Sequence, residues 1–121
     1  EVAAKLAPKD MEILSIRGEV RAALGKLELA LEDYNRFIDQ DPKSVVTLYL
    51  RGQLQERRDN TSAAMADYSR VLQLEPKHVD AMHNRAVLKF RRQDLSGALE
   101  DELKAQELAP HFNALGFAEF P

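Results

Sequence analysis

The string ALEDYNRFIDQDP (Ala30 to Pro42) returns as AMADYSRVLQLEP (Ala64 to Pro76) and again as ALEDELKAQELAP (Ala98 to Pro110), at an interval of 34 residues each time. The prolines Pro8, Pro42, Pro76 and Pro110 keep the same spacing. Aligned on them, the chain resolves into three units, 11–44, 45–78 and 79–112. Gly18, Gly52 and Ala86 then share a column, as do Ala30, Ala64 and Ala98. A self-similar period of this length signals stacked supersecondary units, none of which buries its apolar face alone.

Each unit reads as two helices. VVTLYLRGQLQERR, from Val45 to Arg58, has apolar residues at helical spacing. The turn DNTS follows, in which Thr61 or Ser62 is suited to cap the next helix. The second helix runs through AAMADYSRVLQLE and stops before Pro76, because a proline disfavours helix in the residue before it. Breaks near Leu24-Gly25-Lys26 and Gln93-Asp94 divide the other two units in the same way. No stretch alternates over strand length, so the expected fold class is all-α.

Composition narrows the function classes. The absence of Cys excludes disulfides, thiolate catalysis and Cys-based zinc sites. No run approaches the ~18 apolar residues of a membrane span. The opening EVAAKLAPKD has no basic region followed by an apolar run, so no signal peptide is read in it and a cytoplasmic location is expected. Net charge is −3 with both signs interspersed, whereas general nucleic-acid binders are more often basic.

The columns resemble the tetratricopeptide repeat (TPR) family, with small residues at repeat positions 8 and 20, an aromatic at 24 and Pro at 32. Position 24 holds Tyr34, Tyr68 and Glu102, and position 4 holds Leu14, Leu48 and Met82. Glu102 and the lack of Trp depart from the pattern. The resemblance implies a right-handed superhelix, an α-solenoid of stacked antiparallel helix pairs. Small residues at positions 8 and 20 let helix backbones approach closely, and Tyr34 and Tyr68 fill the space between hairpins.

Two charged columns accompany the small ones: Arg17, Arg51 and Arg85 at position 7, and Asp33, Asp67 and Asp101 at position 23. They are expected to pair, either within a unit (Arg51 with Asp67) or with the next one (Asp67 with Arg85). The reading is a repeated, partly buried ion pair that helps fix register, in preference to a charged ligand site.

Chemistry is sparsely signalled. His78, His83 and His111 are dispersed, no HExxH pattern occurs, and no Gly-rich phosphate loop exists. No catalytic residue, metal site or cofactor is predicted, and the chain reads as a non-enzyme. Arg57-Arg58 and Arg91-Arg92 recur with the period as a candidate nucleic-acid stripe. The units carry net charges of −2, +1 and −1, too little for such a role, and solvated helix ends are the preferred reading. Residues 1–10 read as the remnant of a preceding repeat or as an N-terminal cap. Residues 113–121 form a tail whose aromatics, with Phe112, are expected to pack back on the third unit.

The resemblance further implies that the first helices of the units line a concave groove in which family members bind peptides. The implied groove residues are Val46, Tyr49, Leu50 and Gln53 in the second unit, and His83, Asn84, Val87 and Phe90 in the third. Tyr49 and Phe90 would be the apolar anchors, unless they only pack between units. The carboxylate clamp by which one TPR subclass holds chaperone tails has its counterpart here at Ser15, Glu19, Leu50, Asp80 and Asn84, none of which matches. The expected function is therefore a protein–protein interaction module, an adaptor or scaffold that holds a peptide or helix but no chaperone tail and needs no membrane. Self-association as an assembly element is the alternative, and RNA binding ranks last.

Overall fold

The computed structural model describes residues 5–109, and the tail at 113–121 lies outside the described residues. The described residues form six helices and no strand: α1 (Pro8–Ala23), α2 (Leu27–Gln40), α3 (Val45–Arg57), α4 (Thr61–Leu74), α5 (Val79–Arg91) and α6 (Leu95–Leu108). Two compact bodies can be distinguished, Glu1–Asp67 and Tyr68–Pro121, with the boundary inside α4.

The turn inside each unit has one construction, used three times. Repeat position 15 takes the left-handed conformation: Gly25 at φ 79°, Asp59 at 58° and Gln93 at 65°. The next residue donates its N–H across the turn, Lys26 to Arg21 O, Asn60 to Gln55 O and Asp94 to Lys89 O, at 2.8, 2.9 and 2.9 Å. Together with the shorter bond from position 15 itself, this is a Schellman closure, which satisfies carbonyls that the helix end leaves open. The residue that closes one helix then starts the next. Asn60 Oδ1 accepts from Ala63 N at 3.3 Å, and Asp94 Oδ1 from Gly97 N at 3.1 Å. The cap of α4 is therefore Asn60 and not Thr61 or Ser62, because the turn is one residue tighter than its composition suggests.

The connections between units are capped from position 34. Ser44 Oγ accepts from Thr47 N at 3.3 Å and His78 Nδ1 from Ala81 N at 3.1 Å. Pro42 and Pro76 lie in these connections. The first unit differs. Pro8 is the first residue of α1, a position where its missing N–H costs nothing, so α1 has 16 residues where α3 and α5 have 13.

In the first body, Ala30, Tyr34 and Leu54 form a buried cluster, against which Ala22, Leu27, Leu31 and Leu50 pack. Side chains of α1, α2 and α3 thus share one core. Burial of Tyr34 and Leu54 contributes roughly 1.5–3 kcal/mol each. Gly18 is the close approach: a Cβ there would stand 2.7 and 2.9 Å from ring carbons of Tyr34. The second body buries Ala81, Met82, Ala86 and Leu88 of α5 and Ala98 and Ala105 of α6.

Candidate functional site

The Arg and Asp columns are joined within each unit. Asp33, Asp67 and Asp101 are buried, at 1%, 5% and 5% exposure. Each meets the Arg of its own unit through two guanidinium nitrogens: Nη2 of Arg17, Arg51 and Arg85 donates at 2.7, 2.7 and 2.8 Å, with Nε alongside. The planar fork matches the carboxylate, which an ammonium would not. The third nitrogen of the fork reaches position 25 of the preceding second helix. Arg51 Nη1 donates to Asn35 Oδ1 at 3.0 Å and Arg85 Nη1 to Ser69 Oγ at 3.2 Å. One Arg thus holds its own hairpin closed and fixes that hairpin against the helix before it.

Position 11 supplies a second cation in two of the three units. Arg21 Nη1 lies 2.9 Å from Asp33 Oδ2, and Lys89 Nζ 3.0 Å from Asp101 Oδ2. In the second unit Gln55 stands there instead and accepts from Arg58 Nη1 at 2.6 Å. Burial pushes the Asp101 carboxyl up, but the hydrogen bonds from Arg85 and Lys89 outweigh it and leave the group below the ordinary Asp value. The bonds to Asp101 and Asp33 raise Arg85 and Arg17 in turn. Removal from water, then the charge of Glu19, raises the Tyr34 phenol.

The basic pair Arg57-Arg58 is occupied. Arg57 Nη1 donates to Ala22 O at 2.8 Å, and Arg58 lies 2.8 Å from Glu28. Both guanidinium groups reach the first hairpin, Arg58 half-buried and Arg57 exposed. Arg91 and Arg92 are exposed.

The groove residues of the sequence reading fall into two sets. On α3, Val46, Tyr49, Leu50 and Gln53 follow one face at helical spacing. Val46 is 70% exposed, Tyr49 is half-buried, and Gln53 is exposed with its amide 3.4 Å from the Tyr49 hydroxyl. Leu50 turns partly inward, onto the core of the first body. On α5, His83, Val87 and Phe90 follow a second face, with Asn84 half-buried beside it. Phe90 is 64% exposed, and the His83 ring nitrogen Nδ1 pairs with the Glu102 carboxylate. Among the described residues, no three His, Asp or Glu side chains stand together as a metal site. No helix among them is long and apolar enough to cross a membrane.

Hairpins repeated every 34 residues, with small residues buried at their crossings, define an all-α repeat protein of the solenoid class. The tetratricopeptide repeat profile matches residues 1–45 and 49–111, and the chain belongs to that family. Among solved structures it is similar to the first TPR domain of Spaghetti (RPAP3) bound to the HSP90 peptide SRMEEVD. The two share 23% identity at a TM-score of 0.79, over 89% of this chain and 86% of that one. The MamA protein gives 23% identity and a TM-score of 0.80, over 87% of this chain and 61% of MamA. YrrB, described as a TPR protein with an unusual peptide-binding site, gives 22% and 0.76, over 83% of this chain and 52% of YrrB. The chain thus spans less than two-thirds of MamA and of YrrB, and at these identities the likeness concerns the fold. No curated protein matches the sequence.

Proposed function

We propose that the chain is a protein–protein interaction module, an adaptor or scaffold that holds a peptide or helix of a partner against the first helices of its repeats. The observation that carries this reading is the exposure of large apolar side chains on those helices, Val46 at 70% and Phe90 at 64%. Apolar patches rimmed by polar groups mark partner sites, and Gln53, His83 and Asn84 supply such groups. The partner segment would bring apolar anchors at helical or extended spacing. One similar structure holds a peptide and another is described as having a peptide-binding site, which lends the mode support at the level of fold. The mechanism is shape and apolar complementarity, without chemistry, in a protein of the cytoplasm.

The ligand differs from the one in the RPAP3 structure. A clamp for an acidic chaperone tail needs Lys, Asn and Arg where this chain has Ser15, Glu19, Leu50, Asp80 and Asn84. Two acidic residues there repel an anionic tail, so the peptide SRMEEVD is expected not to bind in a direct titration. A quantitative pull-down from cell extract compares the parent with a Tyr49→Ala/Phe90→Ala variant of unchanged helicity. A partner kept by the parent and lost by the variant supports the reading. Equal capture by both overturns it.

A further inference from the structure

On α1, Glu12, Ser15 and Glu19 follow one helix face at spacings of three and four residues. One period on, the same places hold Val46, Tyr49 and Gln53, the α3 face of the proposed peptide site. Val46 and Gln53 are exposed although a whole hairpin precedes α3. The openness of this face therefore comes from its place in the repeat, whichever helix stands first. Glu12 and Glu19 are exposed too, and neither carboxylate has an ion pair or hydrogen bond among the described residues.

A buried side chain ends at the same place. Tyr34 is 2% exposed, and its ring lies against Gly18, the neighbour of Glu19. Its hydroxyl makes no hydrogen bond among the described residues, whereas every side-chain N or O sealed within them has a partner. The hydroxyl is thus not sealed but reaches the surface, near the junction of α1 with α3. There Arg57 donates to Ala22 O at 2.8 Å, and Ala22 packs on the cluster of Ala30, Tyr34 and Leu54. A hydroxyl of this kind is free to bond a group brought by a bound segment.

The surrounding charges select that group. Of those acting on the phenol, Glu19 is the strongest, Asp33 acts in the same direction, and Arg57 opposes them. The balance at the hydroxyl is negative. Glu12 adds a second carboxylate about 10 Å farther along the helix.

We infer that the face of α1 beside α3 holds a basic side chain, Lys or Arg, of the partner segment, with the Glu19 carboxylate and the Tyr34 hydroxyl oxygen as its acceptors and Glu12 placed for a second cation. The inference rests on the reading of the first helices as a peptide site, and it adds the chemistry of the occupant: apolar anchors joined to basic residues.

Peptides selected on the full chain from a displayed random library test it, by their sequences and by fluorescence-anisotropy titration. Glu19→Gln keeps the size of an exposed side chain, and Tyr34→Phe keeps the buried ring; circular dichroism checks both for helicity. The selected peptides should be enriched in Lys or Arg beside apolar residues. Their binding should weaken about fivefold in Glu19→Gln and about threefold in Tyr34→Phe. Glu32→Gln, the same change of charge on an exposed residue of α2, should leave binding unchanged. Glu19→Lys should bind a peptide with Glu in place of its Lys more tightly than the parent does. Apolar peptides that need Tyr49 and Phe90 but carry no Lys or Arg would overturn this inference and leave the peptide site standing. Basic peptides bound equally by the parent and by Glu19→Gln or Tyr34→Phe, or weakened as much by Glu32→Gln, overturn it as well. A library that yields no binder overturns both.

Discussion

The first and last hairpins of the described chain solve one packing problem in two ways. Between α1 and α2, Gly18 faces the ring of Tyr34, which is 2% exposed, and there is no room for a Cβ. Between α5 and α6, the same two positions hold Ala86 and Glu102. Ala86 is buried with its methyl group, and the Glu102 carboxylate pairs with His83 instead of filling a core. A ring at position 24 goes with Gly at position 8, and a short acidic side chain goes with Ala. The two departures of the third unit are therefore one departure. It forgoes the burial of a ring and gains the better helix propensity of Ala, worth about 1 kcal/mol over Gly.

The sharpest way to break this comparison is Tyr34→Ala. The ring fills the core of the first body, so its loss should cost about 3–5 kcal/mol in urea denaturation. Gly18→Ala should cost about 1–3 kcal/mol by overpacking against that ring, even though Ala is the better helix former. In the last hairpin the same logic runs backwards. Glu102→Tyr alone should destabilise, and adding Ala86→Gly should recover stability, with a coupling of about 0.5–3 kcal/mol in a double-mutant cycle. Additivity of the two would mean that the columns are independent.

Acid probes the last hairpin. The Asp101 carboxyl lies below its ordinary value in the folded state, so its contribution is complete above the ordinary Asp value of about 3.9. It is lost as the pH falls through the lower, folded value. Thermal denaturation of Asp101→Asn should therefore show less loss of stability below about pH 4 than the parent. The smallest effect is expected at the turn. Gln93 adopts a left-handed φ of 65° where the first unit has Gly25, so Gln93→Gly should raise stability by about 1 kcal/mol or less.

Much of the architecture is legible in the period. A 34-residue interval marked by proline and small residues leaves stacked hairpins as the reading, and the buried position 4 column (Leu14, Leu48, Met82) is legible in the same way. The pairing of Arg with Asp is legible from the columns, but not its direction, because one guanidinium reaches both its own hairpin and the one before. The second cation at position 11 is obscured by the intrusion of Gln55 between Arg21 and Lys89. Asn60 as a cap is hidden because Thr61 and Ser62 after it are also capping residue types. The contacts of Arg57 and Arg58 are not legible, because their partners, Ala22 O and Glu28, lie 35 and 30 residues away and leave no local pattern. Leu50 shows why a groove is harder to read than a core. Neighbouring residues on a helix share a face only in part, and this one leans onto the cluster at Ala30 and Tyr34.

The central claim is that the exposed apolar side chains of α3 and α5 bind a partner segment. Selection from a displayed random-peptide library on the full chain, followed by fluorescence-anisotropy titration, addresses it directly. The account predicts a selected peptide with apolar anchors that binds the parent with a dissociation constant of about micromolar order. Tyr49→Ala/Phe90→Ala, with helicity intact, should weaken it at least about tenfold, or 1.4 kcal/mol. Peptides that bind parent and variant equally, or a library that yields no binder, would contradict it.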